Sequence, residues 1–110
     1  MTILVLPMNF NNVVKDLMRD LKDMLSIVYP LIEYDRCSIK IKPDIEILFR
    51  PATLEHCRGR RPDYYWTNSY GVEEYFKHVN NSKELKTFRD LVHVVLEDCI
   101  NKMEEKNDDN

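Results

Sequence analysis

The sequence predicts a small α+β domain, in which a small antiparallel sheet built around one hairpin is covered by two long helices. Three observations carry that expectation. Two stretches repeat apolar residues every three or four positions, two others alternate strictly, and the chain is 110 residues long. The first period belongs to helices and the second to strands. A chain of that length holds one modest core. A single compact domain is therefore expected over residues 1–104, with 105–110 as a charged, frayed tail. A helical bundle carrying a hairpin arm is the competing architecture.

Residues 2–6 read as a short strand closed by Pro7, which cannot donate to a ladder; an unstructured leader is the other reading. Asn9, Asn11 and Asn12 supply side-chain oxygens suited to capping a helix. A helix is expected over about 12–29, because Val14, Leu17, Met18, Leu21, Met24, Leu25 and Val28 form one apolar stripe. Charged residues fill its outer face, with Arg19 and Asp23 spaced to attract. Pro30 stops the helix near Tyr29.

The hairpin is expected over about 36–50. Cys37 to Lys42 and Ile45 to Arg50 both alternate, with a tight turn at Pro43-Asp44. Ile45, Ile47 and Phe49 fall on one side, while Lys40, Lys42, Glu46 and Arg50 form the polar face. Residues 52–70 are the least regular, although 64–67 read as a further strand. A short helix is expected over about 72–79. A long one is expected over about 82–104, opened by a capping box of Asn81 with Glu84 and striped by Leu85, Phe88, Leu91, Val92, Val95, Leu96, Cys99, Ile100 and Met103.

Sixteen basic and nineteen acidic residues leave a net charge of −3, which argues against a protein coating nucleic acid with its whole surface. The charge is uneven: residues 36–61 carry a balance of +4 and residues from 67 onward a balance of −4. No apolar run approaches a membrane-spanning length, and the opening residues lack the pattern of a signal segment. Three scattered cysteines, Cys37, Cys57 and Cys99, favour free thiols and an intracellular setting, cytoplasmic or nuclear.

Arg58, Arg60 and Arg61 stand beside Tyr64, Tyr65 and Trp66 in the chain. Six of the eleven aromatic residues lie between Tyr64 and Phe76, which makes this stretch resemble a recognition surface. Arginine, tyrosine and tryptophan combine contact area with a polar handle. Lys40, Lys42 and Arg50 of the hairpin extend the candidate partner-binding set. In this reading Trp66 and one tyrosine anchor a partner and the arginines select an acidic or phosphorylated surface. The competing structural reading places Tyr65, Tyr75 and Phe76 in the core.

Chemistry-bearing patterns are weak. His56, Cys57, Cys37, His78, His93 and Cys99 show no zinc spacing. A Cys57 nucleophile lacks a base placed to activate it, since neighbouring side chains diverge. Pro62-Asp63 with Glu84-Leu85-Lys86 mimics the carboxylate–lysine pattern of metal-dependent nucleases, but its second half is expected at a helix start. No catalytic residue, cofactor or metal is predicted. The expected function is a macromolecular-interaction module, such as an adaptor or accessory factor, whose partner is another protein. Two rivals remain: RNA or DNA binding through the same patch, with steep salt dependence, and a self-assembling structural subunit, most simply a homodimer. No membrane partner is expected.

Overall fold

The computed structural model describes residues 1–26, 32–41, 44–78 and 82–108, with side chains as far as Lys102. In chain order the elements are β1 (Thr2–Leu6), α1 (Phe10–Ser26), β2 (Ile32–Tyr34), β3 (Ser38–Ile41), β4 (Ile45–Phe49), α2 (Leu54–Cys57), β5 (Tyr64–Thr67), α3 (Tyr70–Lys77), β6 (Lys83–Glu84) and α4 (Phe88–Asp108). Six strands form one sheet in the order β2-β3-β4-β1-β5-β6. The α+β class holds.

The hairpin of β3 and β4 pairs Ile39 with Ile47 and Ile41 with Ile45, and β2 adds to it antiparallel. Beyond β4 the expected antiparallel character gives way. β1 runs parallel to both β4 and β5, and β5 runs parallel to β6. The reason is connectivity. A tight turn joins neighbours antiparallel, whereas parallel neighbours need a long crossover, and those crossovers leave no mark at short range in the sequence.

β1 is the middle of the structure. Ile3, Leu4, Val5 and Leu6 are all buried, which is why this strand reads as an unbroken apolar run. Its alternate side chains feed two cores. Ile3 and Val5 join Ile39, Ile47 and Phe49 beneath Met18, Leu21 and Leu25 of α1 and Leu91 and Val95 of α4. Leu4 and Leu6 face the other way, packing with Tyr65 against Cys57 of α2 and Val72 and Phe76 of α3. The two long helices thus share one face, as expected, while the short helices cover only the β1–β5 half of the other. On the β2–β3–β4 half, Lys40 is exposed and Glu46 and Leu48 are half-exposed.

Local chemistry sets the helix boundaries. Asn9 adopts a left-handed backbone (φ 58°), and its carbonyl accepts the Asn12 N–H at 3.0 Å. Its side-chain oxygen accepts from the Asn12 side-chain amide at 2.7 Å, so these asparagines bond to each other at the start of α1 rather than through a side-chain cap on a backbone N–H. On the exposed face of α1, Arg19 meets Asp16 and Asp20 at 3.5 and 3.6 Å rather than the expected Asp23. Ser69 caps α3 through Val72 N–H, two residues earlier than the period indicated.

The last helix requires a larger correction. Residues 83–84 pair with β5 as a strand, and α4 starts at Phe88. The working capping box is Thr87 with Asp90. Thr87 Oγ1 accepts the Asp90 N–H at 3.1 Å, and Asp90 Oδ2 accepts the Thr87 N–H at 3.2 Å. α4 also continues to Asp108, through part of the segment expected as tail. The expected helix end at Tyr29-Pro30, Pro43 of the hairpin turn, Lys42, Val79 and Asn81 lie outside the described residues. No helix is long and apolar enough to cross a membrane among the described residues.

Candidate interaction surface

The contiguous basic-aromatic patch does not exist as one surface. Strand β5 alternates, so Tyr65 points away from Tyr64 and Trp66. Tyr65 is 2 % exposed and its ring stacks on Phe76 with centroids 4.4 Å apart. Burial, followed by the carboxylates of Glu84 and Glu73, pushes its phenol above the ordinary range. It cannot be a contact residue. Tyr64 and Trp66 pack on the opposite face against the core under α1 and α4, where Trp66 lies 5.0 Å from Phe88. Trp66 is therefore a packing residue on the far side of the sheet from the arginines, and its assignment as an anchor beside them is corrected. Tyr65 and Phe76 lie in the core as the structural reading has it, whereas Tyr75 is only partly buried against it.

The cations fare differently. Thr53 caps the single turn of α2, Arg58 ends it on the surface, and Gly59 (φ 76°) swings the chain back toward β5. This brings Arg60 and Arg61 over the uncovered half of the sheet. There they line a shallow pocket of about 210 Å³ with Thr2, Leu4, Leu48 and Pro62. Lys40 lies on the same face by alternation, directly between Glu33 and Glu46 in register. Arg50 follows Leu48 at the end of β4. Its Nη1 donates to the carbonyls of Cys37 at 3.2 Å and Phe49 at 2.8 Å, which fixes the guanidinium at the edge of this face. Arg58 is exposed one turn away.

Four of the predicted residues, Lys40, Arg50, Arg60 and Arg61, thus share the open face. Tyr64, Tyr65 and Trp66 do not. Leu48, Thr2 and Glu33 belong to the surface but were missed by the sequence reading, which placed Glu46 on the hairpin's polar face without counting it as a contact residue. Leu48 and Glu46 carried a signal, since they occupy the positions of β4 opposite to Ile45, Ile47 and Phe49. Thr2 and Glu33 carried none, because their neighbours come from distant chain segments.

Other reactive groups are engaged elsewhere. His56 Nδ1 lies 2.6 Å from Thr53 Oγ1. Cys57 is fully buried, its thiol donates to the Thr53 carbonyl at 3.1 Å, and burial raises its pKa, with Arg60 opposing. Asp63 Oδ2 accepts the Thr2 N–H at 2.8 Å. Glu84 sits on the edge strand β6 rather than at a helix start. No group of three His, Cys, Asp or Glu side chains converges as a metal site among the described residues. No protein-family model, curated protein or solved structure matches this chain.

Proposed function

We propose that this protein is a non-catalytic interaction module that binds an acidic segment of another protein on the open half of its sheet. One observation carries the reading. Arg60 and Arg61, before β5, line a pocket with the half-exposed Leu48 of β4 where the short helices leave the sheet open, and Arg50 stands at the edge of the same face. An apolar centre flanked by two arginines suits a partner that buries one aliphatic side chain and sets carboxylates or phosphates beside it. Lys40 is compensated by Glu33 and Glu46 across the ladder, so selectivity rests on the arginines. Glu46 on the same face also favours a protein over nucleic acid, since a continuous polyanion laid along the sheet meets its carboxylate unfavourably, whereas a peptide places its few charges around it. The three free cysteines suit a reducing compartment, cytoplasm or nucleus.

The test is site-specific photo-crosslinking in cell extract. The photoreactive residue replaces Glu46 on the open face or, as a control, Asn101 on α4. A protein adduct formed at position 46 but not 101, resistant to nuclease and lost with Arg60→Glu plus Arg61→Glu, supports the reading. Recovery of nucleic acid at position 46 moves the assignment to RNA or DNA binding. Adducts indifferent to the charge reversal overturn it.

A further inference from the structure

On the other side of the sheet, α1 and the β2–β3 turn enclose a groove of about 690 Å³. That volume falls in the range of small-ligand sites, about 300–1,000 Å³. Its α1 wall runs from Phe10 to Lys22, a span of about 18 Å at the helical rise. Two parallel rails follow from the helical repeat. Phe10, Val14 and Met18, four residues apart, form an apolar rail facing Ile39 on the floor. Lys15 and Arg19 follow one position behind, and Lys22 continues the apolar row one turn further, so a cation stands at nearly every turn. Arg36 adds a fourth from the β2–β3 turn.

Among the described residues, the groove lining holds four cations against one carboxylate, Asp35. That carboxylate is occupied. Asp35 Oδ1 accepts the Cys37 N–H and the Ser38 hydroxyl, both at 2.9 Å. The Arg19 contacts to Asp16 and Asp20 are long and solvated, so a ligand displaces them at little cost. At the far end Lys22 Nζ rests 4.0 Å above the Tyr34 ring, bridging helix and strand. A groove bridged at one end fits a small elongated molecule better than a helix running through it.

We infer that this groove binds an amphiphilic organic anion, with its aliphatic or aromatic body on the Phe10–Val14–Met18 rail and a phosphate, sulfonate or carboxylate head between Lys15, Arg19 and Arg36. Both parts are required. The apolar rail alone does not select charge, and the cations alone hold a simple anion weakly in water. The site lies on the opposite sheet face from Arg60 and Arg61, so it stands or falls independently of the interaction reading.

Backbone amide NMR of the full chain, titrated with decyl phosphate below its micelle concentration, tests the inference. Decanol and inorganic phosphate serve as the two half-ligands. The expected result is saturable shifts confined to α1 and the β2–β3 turn, with each half-ligand at least tenfold weaker. Lys15→Glu combined with Arg19→Glu, both solvent-exposed positions that leave the core intact, weakens decyl phosphate at least tenfold and leaves decanol unchanged. Shifts scattered over the surface, decanol binding as well as decyl phosphate, or indifference to the charge reversal would each overturn it.

Discussion

At the scale of single residues, environment assigns roles that residue type alone does not. Tyr64, Tyr65 and Trp66 resemble interface anchors when read in a row, yet a strand sends neighbours to opposite faces. The row is two pieces of two cores. Lys40 and Arg50 were legible because the alternation of their own strands marks the polar side. Arg60 and Arg61 were legible as charge but not as place, since a left-handed glycine decides where they arrive. Cys57 shows the same dependence. Arg58 and Arg60 nearby suggest an activated thiol, but the side chain is fully buried and desolvation dominates, holding the thiol protonated above its ordinary range. Iodoacetamide under native conditions should therefore alkylate the half-exposed Cys37 and Cys99 well before Cys57. Peptide mass spectrometry over a time course reads this directly. Equal rates at all three would show that the α2 turn opens freely. The buried ring pair gives a companion expectation: Tyr65→Leu removes the stack on Phe76 and lowers stability by about 1 kcal/mol beyond the lost area. Chemical denaturation measures it, and the open face should bind unchanged.

At the scale of elements, legibility followed the range of the cause. The β3–β4 hairpin and both long helices announce themselves through local periodicity, and their buried positions match it. The three-residue β2, the one-turn α2 and the two-residue β6 are too short to establish any period. They exist because the larger sheet supplies partners. β6 is the clearest case: Lys83 N–H reaches the Asp63 carbonyl at 3.0 Å and Leu85 N–H the Tyr65 carbonyl at 2.7 Å. Those bonds draw residues 83–84 out of the helical pattern and move the helix start to Thr87. Two capping boxes were available, and the one compatible with the β5 ladder prevails. Thr87→Ala should cost about 1 kcal/mol of folding stability, whereas Thr87→Ser should cost little because its hydroxyl still accepts from Asp90 N–H. A denaturant midpoint unchanged by the alanine would mean that packing alone holds the first turn of α4.

At the scale of the whole molecule, a two-sided core around β1 is closed by charged ties between remote segments. Phe49, wholly buried where α1 and the hairpin meet, represents the first contribution, and Phe49→Ala should cost about 3–5 kcal/mol. The ties determine how stability responds to pH. Asp44 pairs with Lys102 of α4, and its backbone carbonyl accepts the N-terminal ammonium at 2.7 Å. The Lys102 hydrogen bond holds the Asp44 carboxyl below its usual range, as the Cys37 N–H does for Asp35. A carboxylate lowered on folding stabilises the native state above its unfolded value of about 3.9. That contribution drains as pH falls through the lower folded value. For Lys102, burial opposes the charge, but Asp44 and Asp98, the latter at 2.7 Å, outweigh it and the pKa rises. Lys77 rises as well, through Glu74 and Glu73. Stability from a raised lysine is complete below its unfolded value of about 10.4 and is lost as pH rises through the folded value. The thermal midpoint should therefore be flat between about pH 5 and 8 with respect to these groups and fall on both sides. Asp44→Asn should flatten both limbs together, because one side chain shifts Asp44 itself and helps raise Lys102. Asp35→Asn should flatten the acid limb alone. A melting series over pH for the three proteins separates these outcomes, and an acid limb unaltered in both variants would remove these two carboxylates from the account of acid unfolding.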